Sequence, residues 1–251
     1  SGHQVFVGVD PSMQVLAFIT TKNSPLQDIR VRQALNYAVD RKNIAEGLLG
    51  GHVKMATQTA PSFAFGFDPL IPLWPYDPAK AKDLLKQAGY TNGFSFTGEI
   101  LLGAASYSHQ VYQQVASDLL KIGVELTLRL IPAAQYARGV YQGDWAGAAV
   151  GMDYGANPTL DALTPLVRHS CRWMAPWFCD KSILPLIYQA EAAINIEERR
   201  LLTQKVMRYQ HSLSPAIFLY ETARFDALSS KVNGFNISVG HINYDEISFD
   251  N

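Results

Sequence analysis

The sequence lacks any apolar run of the roughly 18 residues that a membrane-spanning helix needs. It also lacks a basic block, because the 21 Lys and Arg residues are interspersed with 22 Asp and Glu residues and the formal net charge is −1. A nucleic-acid-binding face or a polybasic membrane patch requires a concentration of positive charge. We therefore expect no nucleic acid among the partners of this chain.

Motifs that carry catalytic chemistry are missing as well. The sequence has no G-x-S-x-G elbow, no H-E-x-x-H pair, no Walker loop and no G-x-G-x-x-G turn. Its six His are scattered without an i, i+4 pair, and its two Cys lack zinc-knuckle spacing. We expect no enzyme activity, no metal and no cofactor. A hydrolase or transferase domain is the alternative, because an α/β fold does not determine function.

The composition describes a packed globule. Hydrophobic residues make up 48% of the 251 residues and charged residues only 17%, which excludes a disordered chain. No stretch is typical of a domain boundary. We interpret residues 1–3 as a tag remnant and residues 4–251 as one α/β lobe.

The two cysteines, Cys171 and Cys179, lie eight residues apart in an aromatic-rich loop. At this separation they can reach disulfide geometry, and buried free thiols are the alternative. No other Cys and no metal-binding pattern lies close by, which favours a disulfide and an oxidising compartment.

Pro25–Gly51 predicts two short helices in tandem. Asp28 is placed to cap the first and Asp40 the second, and Gly50 and Gly51 end the pair. Apolar residues recur at helical spacing in both, so each helix is expected to pack one face against a core. Its Arg and Lys side chains are expected to be solvated.

Beyond this stretch, strand and helix patterns alternate. Apolar or alternating runs predict strands at 15–21, 94–102, 124–131, 145–152 and 216–228. Amphipathic patterns predict helices at 78–88, 107–122, 133–142, 159–167, 182–194 and 195–212. Asp77 is placed to cap the first of these, and Asn195 begins a capping-box pattern at the start of the last. The predicted fold class is α/β, a mixed sheet covered by helices.

Five segments, in order and spacing, resemble the family 5 extracellular solute-binding proteins, which are receptors of ABC importers for dipeptides, oligopeptides, glutathione or nickel. The resemblance is carried by D-x-RVRQAL-x-YAVDR and the four segments Leu73–Phe96, Gln113–Ile131, Gly143–Leu163 and Asn195–Glu221. The Cys171–Cys179 loop is similar to a disulfide loop of dipeptide-binding relatives.

The resemblance implies the C-terminal lobe, or domain III, of a two-lobe receptor with a periplasmic binding protein type II-like fold. Family members are about twice this long, so the implied partners are a missing N-terminal lobe of the same protein, a small peptide-like solute and the transmembrane subunits of an ABC permease. The implied location is the periplasm, or the membrane-associated exterior of a Gram-positive cell. A ligand-sensing domain of a regulator with the same fold is a further alternative.

In peptide-binding relatives a carboxylate just before an Asn/Asp-Pro turn pairs with the amino terminus of the peptide. Counting back from Pro158 puts Tyr154 at that position, and Asp153 reaches it only if the turn is one residue shorter. Either Gly151 or Met152 replaces a neighbouring Trp of the family. The alternative roles are bracing of the turn for Asp153 and ordinary burial for Tyr154.

Four further residues complete the candidate ligand-binding set. Tyr107 and His109 follow a strand end, where ligands of α/β sheets bind, although a lone loop His is more often solvated. Met152 lies beside Asp153, and Trp173 lies inside the cysteine loop, where aromatic residues often only pack.

Overall fold

The computed structural model describes residues 2–103, 107–238 and 241–250. Its main sheet has six strands: β1 (His3–Phe18), β2 (Lys54–Met55), β3 (Phe94–Leu101), β4 (Val124–Ile131), β5 (Ala149–Gly155) and β6 (Ala216–Ser229). They lie in the order β2-β6-β1-β5-β3-β4. Strand β3 is parallel to β4 and β5, whereas β1 is antiparallel to β5 and β6, so the sheet is mixed as predicted.

Six α-helices accompany this sheet within the described residues: α1 (Ile29–Ala38), α2 (Pro78–Gln87), α3 (Ser108–Leu120), α4 (Ala133–Gln142), α5 (Leu184–Ala192) and α6 (Ile196–Leu213). None of the helices described is long and apolar enough to cross a membrane. The residues after β6 form two small antiparallel ladders, β7 (Val232–Asn233) with β10 (Ser248–Phe249) and β8 (Ile237–Ser238) with β9 (His241–Ile242). The sequence patterns predict no strand after residue 228.

The sheet is buried on both faces because its central strands are apolar at consecutive positions. Along β1, Leu16 and Phe18 pack with α1, α2 and α3 on one side, while Val15 and Ala17 pack with Trp145 and the cysteine loop on the other. Helices α5 and α6 enclose a third apolar cluster. The side chains of β5 therefore stand between two packed layers.

Three predicted helix caps are confirmed. The carboxylate of Asp28 accepts from the Arg30 N–H at 2.8 Å, Asp77 accepts from the Lys80 N–H at 2.9 Å, and Asn195 accepts from two N–H groups at the start of α6. Such caps satisfy N–H groups that have no partner inside the helix.

The second helix of the opening pair differs from the prediction. Asp40 does accept from the Asn43 N–H at 3.0 Å, but Asn43–Leu48 forms a π-helical turn. The Leu49 N–H donates to the Ile44 carbonyl, five residues back. Glycines at 47, 50 and 51 hold an α-helical ladder weakly, so the widened turn ends the element early.

The expectation that every arginine of this stretch is solvated is wrong. Arg32 and Arg41 are 6% and 3% exposed. Arg32 donates to the carbonyls of Leu26, Gln27, Leu213 and Ser214, which joins α1 to the α6–β6 connection. An arginine within an apolar helical pattern can thus be buried when backbone carbonyls surround it.

Strand β1 is longer than predicted. The sequence Asp10-Pro11-Ser12 is typical of a turn, but the strand passes through it, with a change of register against β6 between Val9 and Met13. A bulge takes up the residues that cannot continue a regular ladder. The outer parts of β1 and β6 pair as far as His3 and Ser229, and the Ser230 N–H donates to the Gly2 carbonyl. The Asp250 N–H donates to the Lys231 carbonyl at 2.9 Å, so the first and last described residues lie close together.

Candidate functional site

Strand β5 ends between two adjacent cavities. The first cavity has a volume of about 470 Å³, and its lining includes Asp10, Gln14, Tyr107, Tyr112, Thr222 and Arg224. The second cavity, of about 480 Å³, lies between α4 and the cysteine loop, and its lining includes Val140, Tyr141, Pro165, Arg168, His169 and Trp177. Tyr136, Met152, Asp153 and Asn157 line both, so the two cavities are neighbours that share part of their walls.

Asp153 is the acidic group common to both cavities. Its carboxylate makes no hydrogen bond or ion pair with any residue that the structure describes. Water reaches the carboxylate, but the concave protein wall reduces its hydration. This burial raises the pKa of Asp153 to about 6 from an ordinary 3.8, with repulsion from Asp10 as the second cause. An unpaired carboxylate in a concave site is suited to a cationic group of a ligand.

Tyr154 takes the opposite direction, because successive side chains of a strand point to opposite faces. It is 0% exposed, stacks on His169 with ring centroids 3.4 Å apart, and lines neither cavity. Counting back from Pro158 gave Tyr154 the position of the carboxylate that pairs with a peptide amino terminus. In the structure Tyr154 is a core residue, and its neighbour Asp153 faces the cavities.

The floor of the first cavity is held by a buried hydrogen-bond chain. Gln14 Nε2 donates to Tyr112 Oη and to the Met152 carbonyl, and Tyr112 Oη donates to the Val15 carbonyl at 2.8 Å. Gly151 is required beneath this ring, since a Cβ there would lie 2.5 Å from a Tyr112 ring atom. These bonds hold the backbone of β5 at Met152, next to Asp153.

Tyr107 and His109, the two candidates that follow the end of β3, differ in their position relative to the cavities. Tyr107 is half-buried and lines the first cavity, and burial followed by the charges of Asp153 and Asp10 raises the pKa of its hydroxyl. His109 lines neither cavity, and its Nε2 lies 3.0 Å from Gln113 Nε2 one turn along α3.

Trp173 packs beside the second cavity without lining it. Its Nε1 donates to the Val140 carbonyl at 2.6 Å, and the guanidinium of Arg168 lies 5.6 Å from its ring centroid. Trp173 therefore supports a lining residue.

Comparison with known proteins identifies the family. The sequence profile described as "Bacterial extracellular solute-binding proteins, family 5 Middle" matches residues 2–172. The chain belongs to this family.

Two curated relatives match nearly the whole chain. Heme-binding protein A of Haemophilus influenzae is 29% identical over 240 residues, which cover 90% of this chain and 44% of that protein. Di/tripeptide-binding protein 2 of Pseudomonas aeruginosa is 27% identical over 251 residues, which cover 91% of this chain and 46% of that protein. The family 5 chain spans about half the length of the curated relatives it matches.

Among solved structures, the periplasmic binding protein DppA of Helicobacter pylori, in complex with the peptide STSA, superposes with a TM-score of 0.86. The match has 21% identity and covers 100% of this chain and 49% of that one. This likeness confirms the predicted type II-like fold.

The predicted disulfide of the family 5 chain is also confirmed. Cys171 and Cys179 are bonded, with their Cα atoms 4.5 Å apart. The loop that they close carries Trp177, whose buried ring contacts Trp145 and His169 at centroid distances of 6.4 and 5.1 Å. The bond therefore holds one wall of the second cavity.

Reduction of this disulfide is expected to lower the free energy of unfolding by about 2–3 kcal/mol, from the closure entropy of so short a loop. Urea unfolding of the oxidised protein, with and without a thiol reductant, measures the difference. A Cys171→Ser/Cys179→Ser variant is the control and should unfold identically in both buffers. Equal midpoints for oxidised and reduced wild type would contradict the prediction.

The structure adds lining residues that sequence reasoning missed. Asp10 and Gln14 come from the part of β1 that was not predicted, and Tyr136 comes from the helix predicted at 133–142, where no site residue was expected. Arg224 lines the first cavity and pairs with Asp226 at 2.9 Å. In the described ranges, no cluster of three or more His, Cys, Asp or Glu could hold a metal ion.

Proposed function

We propose that this chain is the C-terminal lobe of the substrate-binding component of an ABC importer, and that it captures a peptide-like solute against the surface that carries the two cavities. Membership of family 5 supports the receptor class. The printed names of relatives, a di/tripeptide-binding protein and a peptide-bound DppA, support the solute class. The proposed compartment is the periplasm or the exterior of the cell.

The observation that carries this proposal is the unpaired carboxylate of Asp153 at the junction of the cavities. The amino terminus of a peptide is a cation that an unpaired carboxylate in a concave site binds through charge-assisted hydrogen bonds. Tyr107 and Met152 line the same region, which gives the bound solute an apolar contact. Of the other candidates, Trp173 acts through Arg168, and Tyr154 and His109 are proposed as supports of the wall.

The binding mechanism that we propose is closure of two lobes. The outer parts of β1 and β6 run side by side as far as His3 and Ser229, and the segments that join a missing N-terminal lobe would leave on this side of the sheet. A solute held at Asp153 would then be covered from the other side. Closure shifts the population toward the form that the transmembrane subunits of the permease recognise.

Calorimetry on the full-length protein tests the proposal with a panel of di- and tripeptides, glutathione and chelated nickel. We expect heat of binding from peptides with a free amino terminus and none from their N-acetylated counterparts. N-acetylation removes the cation and leaves the rest of the peptide unchanged, so it is the matched control. Absence of heat from every peptide would overturn the solute class.

A further inference from the structure

We propose that the second cavity is a carboxylate-binding subsite for the same solute, with Arg168 as its cation. This inference rests on the proposed function, because it assumes that Asp153 holds an amino group. The carboxylate is either an acidic side chain of the solute or its carboxyl terminus.

The two cavities share part of their lining. Four residues line both cavities, and Asp153 is one of them. A solute whose ammonium group is held at Asp153 is therefore placed at the border of the second cavity. Asn157, which also lines both, lies in the turn that follows β5.

The walls of the second cavity suit the stem of a ligand side chain. Tyr136, Val140, Tyr141, Met152, Pro165 and Trp177 give the second cavity a largely apolar and aromatic lining. Such a lining accepts the aliphatic or aromatic stem of a side chain. Because the cavity opens to solvent beside Arg168, a stem that ends in a charged group can keep that end hydrated.

Arg168 is the cationic side chain that lines the second cavity. Its side chain is exposed and lines the second cavity, and no carboxylate of the described residues forms an ion pair with it. Neighbouring arginines are already paired: Arg172 with Glu191 and Arg199 with Asp161. Arg168 thus differs from them in having its full capacity for a bidentate bond to a ligand carboxylate.

The guanidinium of Arg168 is supported by the ring of Trp173. Trp173 lies beneath it at 5.6 Å, and the indole of Trp173 is fixed by its bond to the Val140 carbonyl. A cation held over an aromatic face loses less conformational freedom when it binds an anion. Trp173 is therefore a positioning residue for Arg168.

The test uses the full-length protein and four tripeptides with a free amino terminus, measured by calorimetry. Ala-Gln-Ala amide is the neutral reference, Glu-Ala-Ala amide and Ala-Glu-Ala amide carry an acidic side chain, and Ala-Gln-Ala with a free carboxyl terminus carries a terminal carboxylate. In wild type, at least one acidic peptide should bind about 5- to 30-fold more tightly than the reference. The member that gains identifies the source of the carboxylate.

Arg168→Gln should abolish that gain and leave the affinity for the neutral reference within about twofold. Arg172→Gln is the matched control, since its guanidinium already bonds Glu191, and it should keep the gain. Thermal unfolding of both variants checks that the fold is intact.

Equal binding of all four peptides to wild type would overturn the subsite and leave the proposed function standing. Persistence of the gain in Arg168→Gln would overturn the assignment to Arg168. Absence of binding by all four would overturn the proposed function and the subsite with it.

Discussion

Replacement of Asp153 by Asn is expected to abolish capture of free-amine peptides and, at neutral pH, to raise the stability of the chain. The loss of binding follows from truncation of one partner of a charge pair that the proposed closure of the two lobes would enclose, which costs about 2–5 kcal/mol. The dissociation constant should therefore rise at least about 30-fold. Calorimetry of the full-length protein with a free-amine dipeptide measures the change.

The gain in stability follows from the sign of the pKa shift. The Asp153 carboxyl holds its proton more tightly in the folded chain, with a pKa of about 6, than in the unfolded chain, at an ordinary 3.8. Ionisation therefore favours unfolding, and the free energy of unfolding falls as the pH rises from about 4 to about 6. Asn does not ionise, so at pH 7.5 the variant should melt at a higher temperature than wild type. The difference should shrink at pH 5.

The same shift predicts how binding depends on pH. Below a pKa of about 6 the free carboxyl is increasingly protonated, and a protonated carboxyl does not pair with an ammonium group. The affinity for a free-amine peptide should fall toward tenfold per pH unit between about pH 6 and pH 4. Since the ammonium group lowers the pKa of Asp153 in the complex, binding near pH 6 should also release protons.

Asp10→Asn is the matched control. Asp10 lines the first cavity and raises the pKa of Asp153 by repulsion. Its removal should keep peptide binding and move the midpoint of the pH dependence downward. If the Asp153→Asn variant bound free-amine peptides as wild type does, the proposal that Asp153 binds the ammonium group would be wrong. If it melted at a lower temperature than wild type at pH 7.5, the predicted effect of the raised pKa of Asp153 would be wrong.

The contrast between Asp153 and Tyr154 explains what sequence alone leaves open. Counting back from Pro158 selects Tyr154, because it measures distance along the chain. In the structure Asp153 lines the cavities and Tyr154 does not, because β5 continues to Gly155 and its period of two sends these neighbours to opposite faces. A shift of one residue reverses the assignment, and the end of a strand is the feature that sequence defines least sharply.

Local signals were read correctly where one segment suffices. The caps by Asp28, Asp77 and Asn195 depend on a few adjacent residues, and so does the short loop closed by Cys171 and Cys179. The lining of the cavities depends instead on segments far apart in sequence. Nothing local to α4 or the cysteine loop predicts that they enclose a cavity together.

Replacement of Arg41 by Met is expected to lower the free energy of unfolding by about 2–5 kcal/mol. The guanidinium donates to the Phe218 carbonyl at 2.5 Å, to the Asn36 carbonyl at 2.9 Å and to Asn36 Oδ1 at 2.7 Å. It thereby joins the end of α1 to the central strand β6. Met fills the space but leaves these acceptors buried without donors, each at a penalty of about 1–3 kcal/mol.

Two opposing effects set the size of this loss. Burial lowers the pKa of Arg41 to about 9, so the charged side chain is held at a desolvation penalty that Met does not carry. The unsatisfied carbonyls outweigh that relief, because several acceptors lose their donor at once. Arg41→Lys should also be destabilising, since one ammonium group cannot reach acceptors arranged around a planar guanidinium.

Lys42→Met is the matched control for Arg41→Met in urea unfolding. Lys42 is the next residue, is exposed, and lies 3.9 Å from Glu46 on the surface, so its loss should change the free energy of unfolding by less than about 0.5 kcal/mol. A change of that size for Arg41→Met would mean that water or a backbone shift satisfies the carbonyls. The difference in unfolding free energy between Arg41→Met and Lys42→Met thus tests whether the buried guanidinium of Arg41 stabilises the packing of α1 against β6.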